Sequence, residues 1–411
     1  MEDSTTVIYD AAVIGAGVMG SATAYNLCKG GHQTLLLEQF DFLHHCGSSH
    51  GESRTIRATY PEAYYSTMVE QSARLWAQLE AEIGYRVYFP STHLDVGPSH
   101  SKSLLAVISN CQCHGIPHQV LHGYEVSERF SGRFHIPEDW IGLLTELGGV
   151  IKPTKAVAMF QALALKNGAV LKDNIEVRDI KRNEEGLLEI ITVGGEKFRA
   201  RKCVVTAGAW MKKLVKTVAG IELPIQPLEC SVCYWKIKDG KEKDLSIIDG
   251  DFPSFSSYGD PYVYGTPALE FPGLIKVAVH NGTICDPDRR EWGNGLFQDL
   301  LRKWIEERFK GLVDSSRPVS TQSCMYSMTP DEDFVMDFVG GEFGEDLVVG
   351  GGFSGHGFKM APLVGVVLAD LVMDGKVNGV EMDHFRIGRF EGGGKGNVKE
   401  FDVQVCFAKF N

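Results

Sequence analysis

Three glycines spaced as G-x-G-x-x-G open the case for chemistry. In Gly15-Ala16-Gly17-Val18-Met19-Gly20, Gly15 and Gly17 allow a tight turn and a close approach of backbone N–H groups to a pyrophosphate. Gly20 lets the following helix pack closely on its strand. Glu38, eighteen residues past Gly20, is placed to accept hydrogen bonds from a ribose hydroxyl. The pattern calls for a dinucleotide without saying which one.

Three further segments carry reactive residue types. In His50-Gly51-Glu52-Ser53-Arg54-Thr55-Ile56-Arg57, two arginines beside a histidine could line an anion site, because the guanidinium fork matches a carboxylate. An isolated arginine pair is more often a solvated loop. In Gly352-Phe353-Ser354-Gly355-His356-Gly357-Phe358-Lys359, Ser354 lacks the glycine two residues later that a hydrolase elbow needs, since His356 stands there. Lys359 is a candidate carboxylate contact, although such a lysine alone reads as surface. Ser323-Cys324-Met325-Tyr326 leads into a Thr329-Pro330-Asp331 turn. A single cysteine there is by itself a buried filler.

Other cysteines offer weaker signals. Cys230-Ser231-Val232-Cys233 has redox-motif spacing but lies in a strand-like stretch rather than at a helix start. Cys111-Gln112-Cys113-His114 has no second cluster at zinc-site spacing, so no metal is expected.

The elements that must position these residues follow from pattern. Residues 10–14 and 34–37 read as buried strands flanking a helix over 21–29, a βαβ unit. Helices are expected over 69–83, 153–167, 297–309 and 361–373, and strands over 85–97 and 170–179. Buried strands over 202–207 and 346–349 each precede a glycine turn. The aromatic, β-branched stretch 224–279 reads as antiparallel sheet. From Gly392 a glycine-rich tail is expected to stay off the body.

The 411 residues suffice for two packed lobes. A net charge of -12 argues against a nucleic-acid partner, which needs basic surface, but not against a small anion in a locally positive pocket. No apolar run is long enough to span a bilayer. Met1-Glu2-Asp3-Ser4 lacks the regions of a secretory signal, and Lys409-Phe410-Asn411 is not a Ser-Lys-Leu address. The ten cysteines are then expected as free thiols, and the cytoplasm is the default compartment.

Taken in order, Gly15–Gly20, Ser49–Arg54, Val205-Thr206-Ala207-Gly208-Ala209-Trp210, Cys324–Asp331 and Gly352–Lys359 resemble the monomeric sarcosine oxidase family, with its N-methyltryptophan and pipecolate oxidase relatives. The resemblance runs to about Phe390, and the tail departs from it. It implies an α/β (α+β) two-lobed flavin oxidase. A Rossmann-like FAD-binding domain would comprise 1–90, 150–220 and 320–390. An antiparallel-sheet substrate domain would comprise 91–149 and 221–319, with 391–411 as tail.

The resemblance also implies roles. Cys324 matches the cysteine joined to the flavin by a thioether, so the expected cofactor is covalent FAD. Arg57 and Lys359 match the pair that binds the substrate carboxylate. Lys276 matches the lysine over the flavin where oxygen is reduced, and His280 the histidine near the substrate amine. Tyr264 matches an active-site tyrosine with looser spacing. His50 and Arg54 line the other face of the flavin ring. Ala16, Val18, Met19, Ser49, Gly352, Gly355, His356 and Gly357 complete the cofactor contacts. The implied partners are a small amino acid and oxygen, with the protein acting as a monomer. The implied reaction is oxidation of a secondary amino acid such as sarcosine. A pipecolate or other N-methyl amino acid oxidase, a flavin dehydrogenase and a non-catalytic dinucleotide-binding protein are the alternatives.

Overall fold

The computed structural model describes residues 7–401 apart from 270, 291 and 293–296; the expectations about Met1–Ser4 and Lys409–Asn411 therefore lie outside the described residues. Two sheets organise the described residues, one of eight strands and one of ten.

The eight-stranded sheet is built around the expected βαβ unit. Ile8–Ile14 pairs in parallel with Thr34–Leu37 on one side and Lys197–Val205 on the other. Leu347–Gly351 and Val170–Lys172 extend the parallel run. The central stretches Ala11–Ile14, Thr34–Leu37, Cys203–Val205 and Leu347–Gly351 are buried because both faces are covered. Ala11 and Val13 face a core shared with the helices Val18–Lys29, Pro153–Lys166 and Ala361–Asp374. Ala12 and Ile14 face the opposite core, under the helix Met211–Ala219. Pro362 sits in the first turn of Ala361–Asp374, where its missing N–H costs nothing.

The second sheet is mostly antiparallel. Gln226–Lys236 pairs along nearly its whole length with Ser320–Met328, and Val263–Thr266 bridges Ser254–Ser257 and Leu274–Val279. Its aromatic content is spent on one core, where Phe134, Phe252, Phe255, Trp304 and Phe309 pack ring against ring. Rings at these separations add roughly 0.5–1.5 kcal/mol per pair beyond the area they bury.

Several elements differ from the expectation. The helix expected from residue 69 begins at Ala63 and ends at Ile83. Lys102–Cys113 is a helix, with Cys111 buried and Cys113 exposed, and Trp140–Ile151 is a strand that Gly148 and Gly149 conceal. Arg54–Arg57 and Ser320–Met328, which fall within the stretches expected to form the dinucleotide lobe, are strands of the second sheet. The tail does meet the body: Asn397 donates to Asp331 and Asp333, and Lys399 reaches Glu62 and Asp333. Among the described residues no helix is long and apolar enough to cross a membrane.

Candidate active site

The glycine turn sits at the C-terminal end of Ile8–Ile14 and opens the helix Val18–Lys29. Gly20 cannot be anything larger, because a Cβ there would lie 1.9 Å from the Gly15 carbonyl oxygen. Ser49 closes the same turn by accepting the Val18 N–H at 3.0 Å. Glu38 is buried at the tip of the next strand; its carboxylate accepts the Ala16 and Phe40 N–H groups and meets His44 at 3.4 Å.

A cavity of about 390 Å³ runs over this turn, lined by Gly15, Ala16, Gly17, Val18, Met19 and Glu38. It continues past Ser49, His50 and Arg54 to Cys324, Gly355 and Gly357. Trp210, from the turn after Lys197–Val205, and Lys213, from the helix Met211–Ala219, also border it. The donor set fits a dinucleotide: a glycine turn and a helix N-terminus at one end, and a cysteine among cations at the other. His50 Nε2 is buried there with no hydrogen-bond partner in the protein. Burial, reinforced by Arg54, holds the His50 imidazole neutral, its pKa pulled down to about 3.

A smaller cavity of about 90 Å³ adjoins the first and shares Arg54, Cys324, Tyr326, Gly355 and Phe358 with it. Arg57, Tyr264, Lys276, His280, His356 and Lys359 line this second space. Of the residues expected to contact the cofactor, His356 and Lys359 open only to the smaller cavity, and Gly20 and Gly352 border neither. His50, expected near the reaction, opens only to the larger one.

Arg57 and Lys359 are buried, not the surface residues that their local sequence suggests. Lys359 Nζ donates to the Tyr60 hydroxyl at 2.7 Å and to the His356 carbonyl at 2.8 Å. Its backbone carbonyl accepts the indole N–H of the fully buried Trp76, which ties its position to the helix Ala63–Ile83. The Arg57 guanidinium lies over the Tyr60 ring at 4.5 Å, and its Nη1 has no hydrogen-bond partner. A buried charged donor left open costs several kcal/mol unless something meets it. Burial and the nearby Arg57 push the Lys359 pKa well below the usual lysine range.

Lys276, on Leu274–Val279, donates to the Ser53 carbonyl at 3.0 Å and lies 5.3 Å from the Tyr264 ring centre. Burial first, and Arg54 second, bring its pKa down to about 7. His280 meets the Tyr326 hydroxyl at 3.2 Å, and burial ahead of Arg57 and Lys359 lowers its pKa to about 3. Gly355 has φ +75°, and a Cβ there would lie 2.9 Å from His280 Cε1, so its absence keeps the imidazole in place.

Cys324 lies at the junction of the cavities. Arg54 Nη2 approaches its sulfur at 3.6 Å. The neighbouring Cys230 thiol lowers the Cys324 thiol pKa to about 6, against the pull of burial and with help from Arg54 and Lys276. Tyr60 carries no motif that marks it in the sequence, and Ser53 and Cys230, although they fall within segments singled out there, are brought to this site only by packing.

The chain matches the family model described as FAD dependent oxidoreductase over residues 10–371. It is 62% identical to "Probable sarcosine oxidase" of Arabidopsis thaliana, covering 98% of each chain. It is 36% identical to "Peroxisomal sarcosine oxidase" of Homo sapiens, over 95% of this chain and 98% of that one. Among solved structures it is similar to NikD, described as an unusual amino acid oxidase essential for nikkomycin biosynthesis. The TM-score is 0.78 at 23% identity, over 92% of this chain and 96% of NikD. The chain belongs to the FAD-dependent oxidoreductases and, within them, groups with the sarcosine oxidases.

Proposed function

We propose that this FAD-dependent enzyme oxidises a small secondary amino acid, sarcosine first, to glycine, formaldehyde and hydrogen peroxide. The observation that carries the reading is the open Nη1 of buried Arg57, paired with Lys359 in a cavity of about 90 Å³ beside the dinucleotide cradle. A substrate carboxylate meets both cations and relieves the cost of their burial. The relatives' printed names support the same substrate class.

FAD, when bound, supplies the acceptor for two electrons from the substrate and passes them to oxygen. The chain's own residues do the rest. Arg57 and Lys359 fix the carboxylate and so orient the carbon to be oxidised. His280, neutral at working pH, can accept a hydrogen bond from the amine without adding another charge. The cations Arg57, Lys359 and Lys276 oppose a protonated amine in the same small space and favour its reactive neutral form. Lys276, cationic below its pKa of about 7, places positive charge where negative charge builds on oxygen, as a preorganised donor does in an oxyanion hole. Cys324, with its lowered pKa and a place in both cavities, is the residue that attaches the flavin by a thioether. Arg54 and His50 line the cofactor side of the same junction.

L-Pipecolate offers the same carboxylate and secondary amine, and its ring would have to fit beside Val232, Ser256 and Tyr262. Peroxide production decides. Sarcosine should be oxidised, whereas dimethylamine, which lacks the carboxylate, should not. Comparable kcat/KM for the two amines would sink the reading, and the sarcosine-to-pipecolate ratio ranks the two amino acids.

A further inference from the structure

Cys230 and Cys324 face each other across the antiparallel strands Gln226–Lys236 and Ser320–Met328. Directly opposed residues in such a ladder have Cα atoms roughly 4.5 or 5.5 Å apart, with side chains on one face of the sheet. Both spacings fall within the roughly 4.4–6.8 Å that a disulfide requires. Both cysteines are buried and line the small cavity, and Cys324 also borders the larger one. Cys233, three residues along the strand, belongs to the aromatic core, so the opposition singles out one partner.

We propose that Cys230 and Cys324 form a redox-sensitive thiol pair whose disulfide excludes flavin attachment at Cys324, with hydrogen peroxide as the oxidant. The proposal rests on the reading of Cys324 as the attachment residue. A sulfur joined to Cys230 has no valence left for a thioether, so the two states exclude each other. Peroxide is the product of the proposed activity, released by molecules whose Cys324 already carries the flavin, and it reaches the pair by diffusion in molecules that have not yet attached it.

The chemistry balances. The Cys324 thiolate attacks one peroxide oxygen, the O–O bond breaks, and the departing hydroxide takes a proton to become water. The Cys324 sulfenic acid is then attacked by the Cys230 sulfur, which expels the second oxygen as water. Two thiols lose two protons and two electrons, and one peroxide becomes two waters. Arg54 stabilises the attacking thiolate, and Cys230, opposite it in the ladder, supplies the resolving sulfur, whose proton leaves with the sulfenic oxygen as water.

The test uses full-length protein produced under riboflavin limitation, split into reduced and peroxide-treated samples. Each is alkylated under denaturing conditions and digested, and a parallel portion is incubated with FAD and precipitated with acid. Peroxide should yield a Cys230–Cys324 bridged peptide and a loss of flavin from the pellet, restored by dithiothreitol. Cys230→Ser should give no bridged peptide, and with no resolving thiol a second peroxide should carry the Cys324 sulfenic acid on to sulfinic acid, so that its lost flavin uptake is not recovered by dithiothreitol. Treated wild-type protein with both cysteines still alkylated overturns the pair. A bridged peptide with undiminished covalent uptake overturns the gate alone. Reduced wild-type protein that takes up no covalent flavin overturns the attachment reading and the gate with it, while the peptide map still reports on the pair.

Discussion

Arg54 Nη2 lies 3.6 Å from the Cys324 sulfur while the same nitrogen holds the carbonyls of Ser48 and His50. One guanidinium thus fixes the loop over the cofactor cradle and sets a positive charge against the thiol. Arg54→Met should let the Cys324 pKa climb from about 6 toward its ordinary 9.0, and covalent flavin should fall. Alkylation of the apoprotein as a function of pH reads the first effect, and flavin colour in an acid pellet reads the second. Unchanged colour in the pellet, formed at the wild-type rate, would remove Arg54 from the attachment step.

Arg57 and Lys359 should answer differently to substitution and to pH. Arg57→Met removes a buried, hydrogen-bonding charge partner, a loss of about 2–5 kcal/mol or roughly 30-fold or more in carboxylate affinity. The effect belongs in KM and in the Kd for acetate, followed by flavin absorbance. Lys359 loses its proton below the usual lysine range, because burial and Arg57 disfavour the charge. Acetate affinity should therefore weaken as pH rises through that lowered pKa, and Lys359→Arg should flatten the limb. A pH-independent affinity in the wild type would show that Lys359 does not meet the carboxylate.

The glycine turn and the Gly352–Lys359 segment are legible in the sequence because backbone geometry restricts residue choice there. Gly20 and Gly355 leave no room for a side chain. The central strands of the parallel sheet are legible because burial on both faces leaves short apolar runs such as Ala11–Ile14, Leu35–Leu37 and Leu347–Val349. Trp140–Ile151 is hidden because Gly148 and Gly149 interrupt its pattern, and Gly149 has φ +137°. The burial of Arg57 and Lys359 is not legible either. It depends on Tyr60 and Trp76, which contact them only after the helix Ala63–Ile83 packs against the turn at Phe358–Met360. Cys230 shows the same limit, since a pairing register between distant strands makes it the neighbour of Cys324.

Lys276 should govern oxygen and not the amino acid. Lys276→Met should slow reoxidation of the reduced enzyme by about a hundredfold, roughly 3 kcal/mol, and spare the reductive step. Stopped-flow mixing with sarcosine and with oxygen separates the two. With a pKa brought to about 7, the cationic fraction falls as pH rises through that value, so reoxidation in the wild type should slow in the same direction. Lys276→Arg, charged throughout, should lose the dependence. Equal slowing of both half-reactions in Lys276→Met would assign the lysine to general architecture.

The tail after Gly392 should matter to stability and to the carboxylate site. Lys399 Nζ is 2.8 Å from Glu62 and 2.8 Å from Asp333, and all three side chains are largely buried. Asp333 also accepts the Tyr64 and Tyr65 hydroxyls and the Asn397 amide. Lys399→Met leaves two buried acids without their cation, which costs about 3–5 kcal/mol when one partner of such a pair is removed. A lower urea midpoint reads this loss. The effect should also travel inward. Tyr65 packs edge-on against His356 at 4.9 Å, His356 Nδ1 meets the Tyr60 hydroxyl at 3.2 Å, and that hydroxyl accepts from Lys359. Loosening Asp333 frees Tyr65, and through His356 and Tyr60 it loosens Lys359, the proposed carboxylate contact. A chain ending at Glu391 should therefore show both a lower midpoint and weaker acetate binding. A truncated protein with the wild-type midpoint and wild-type acetate affinity would show that the contacts of Asn397 and Lys399 support neither stability nor the site.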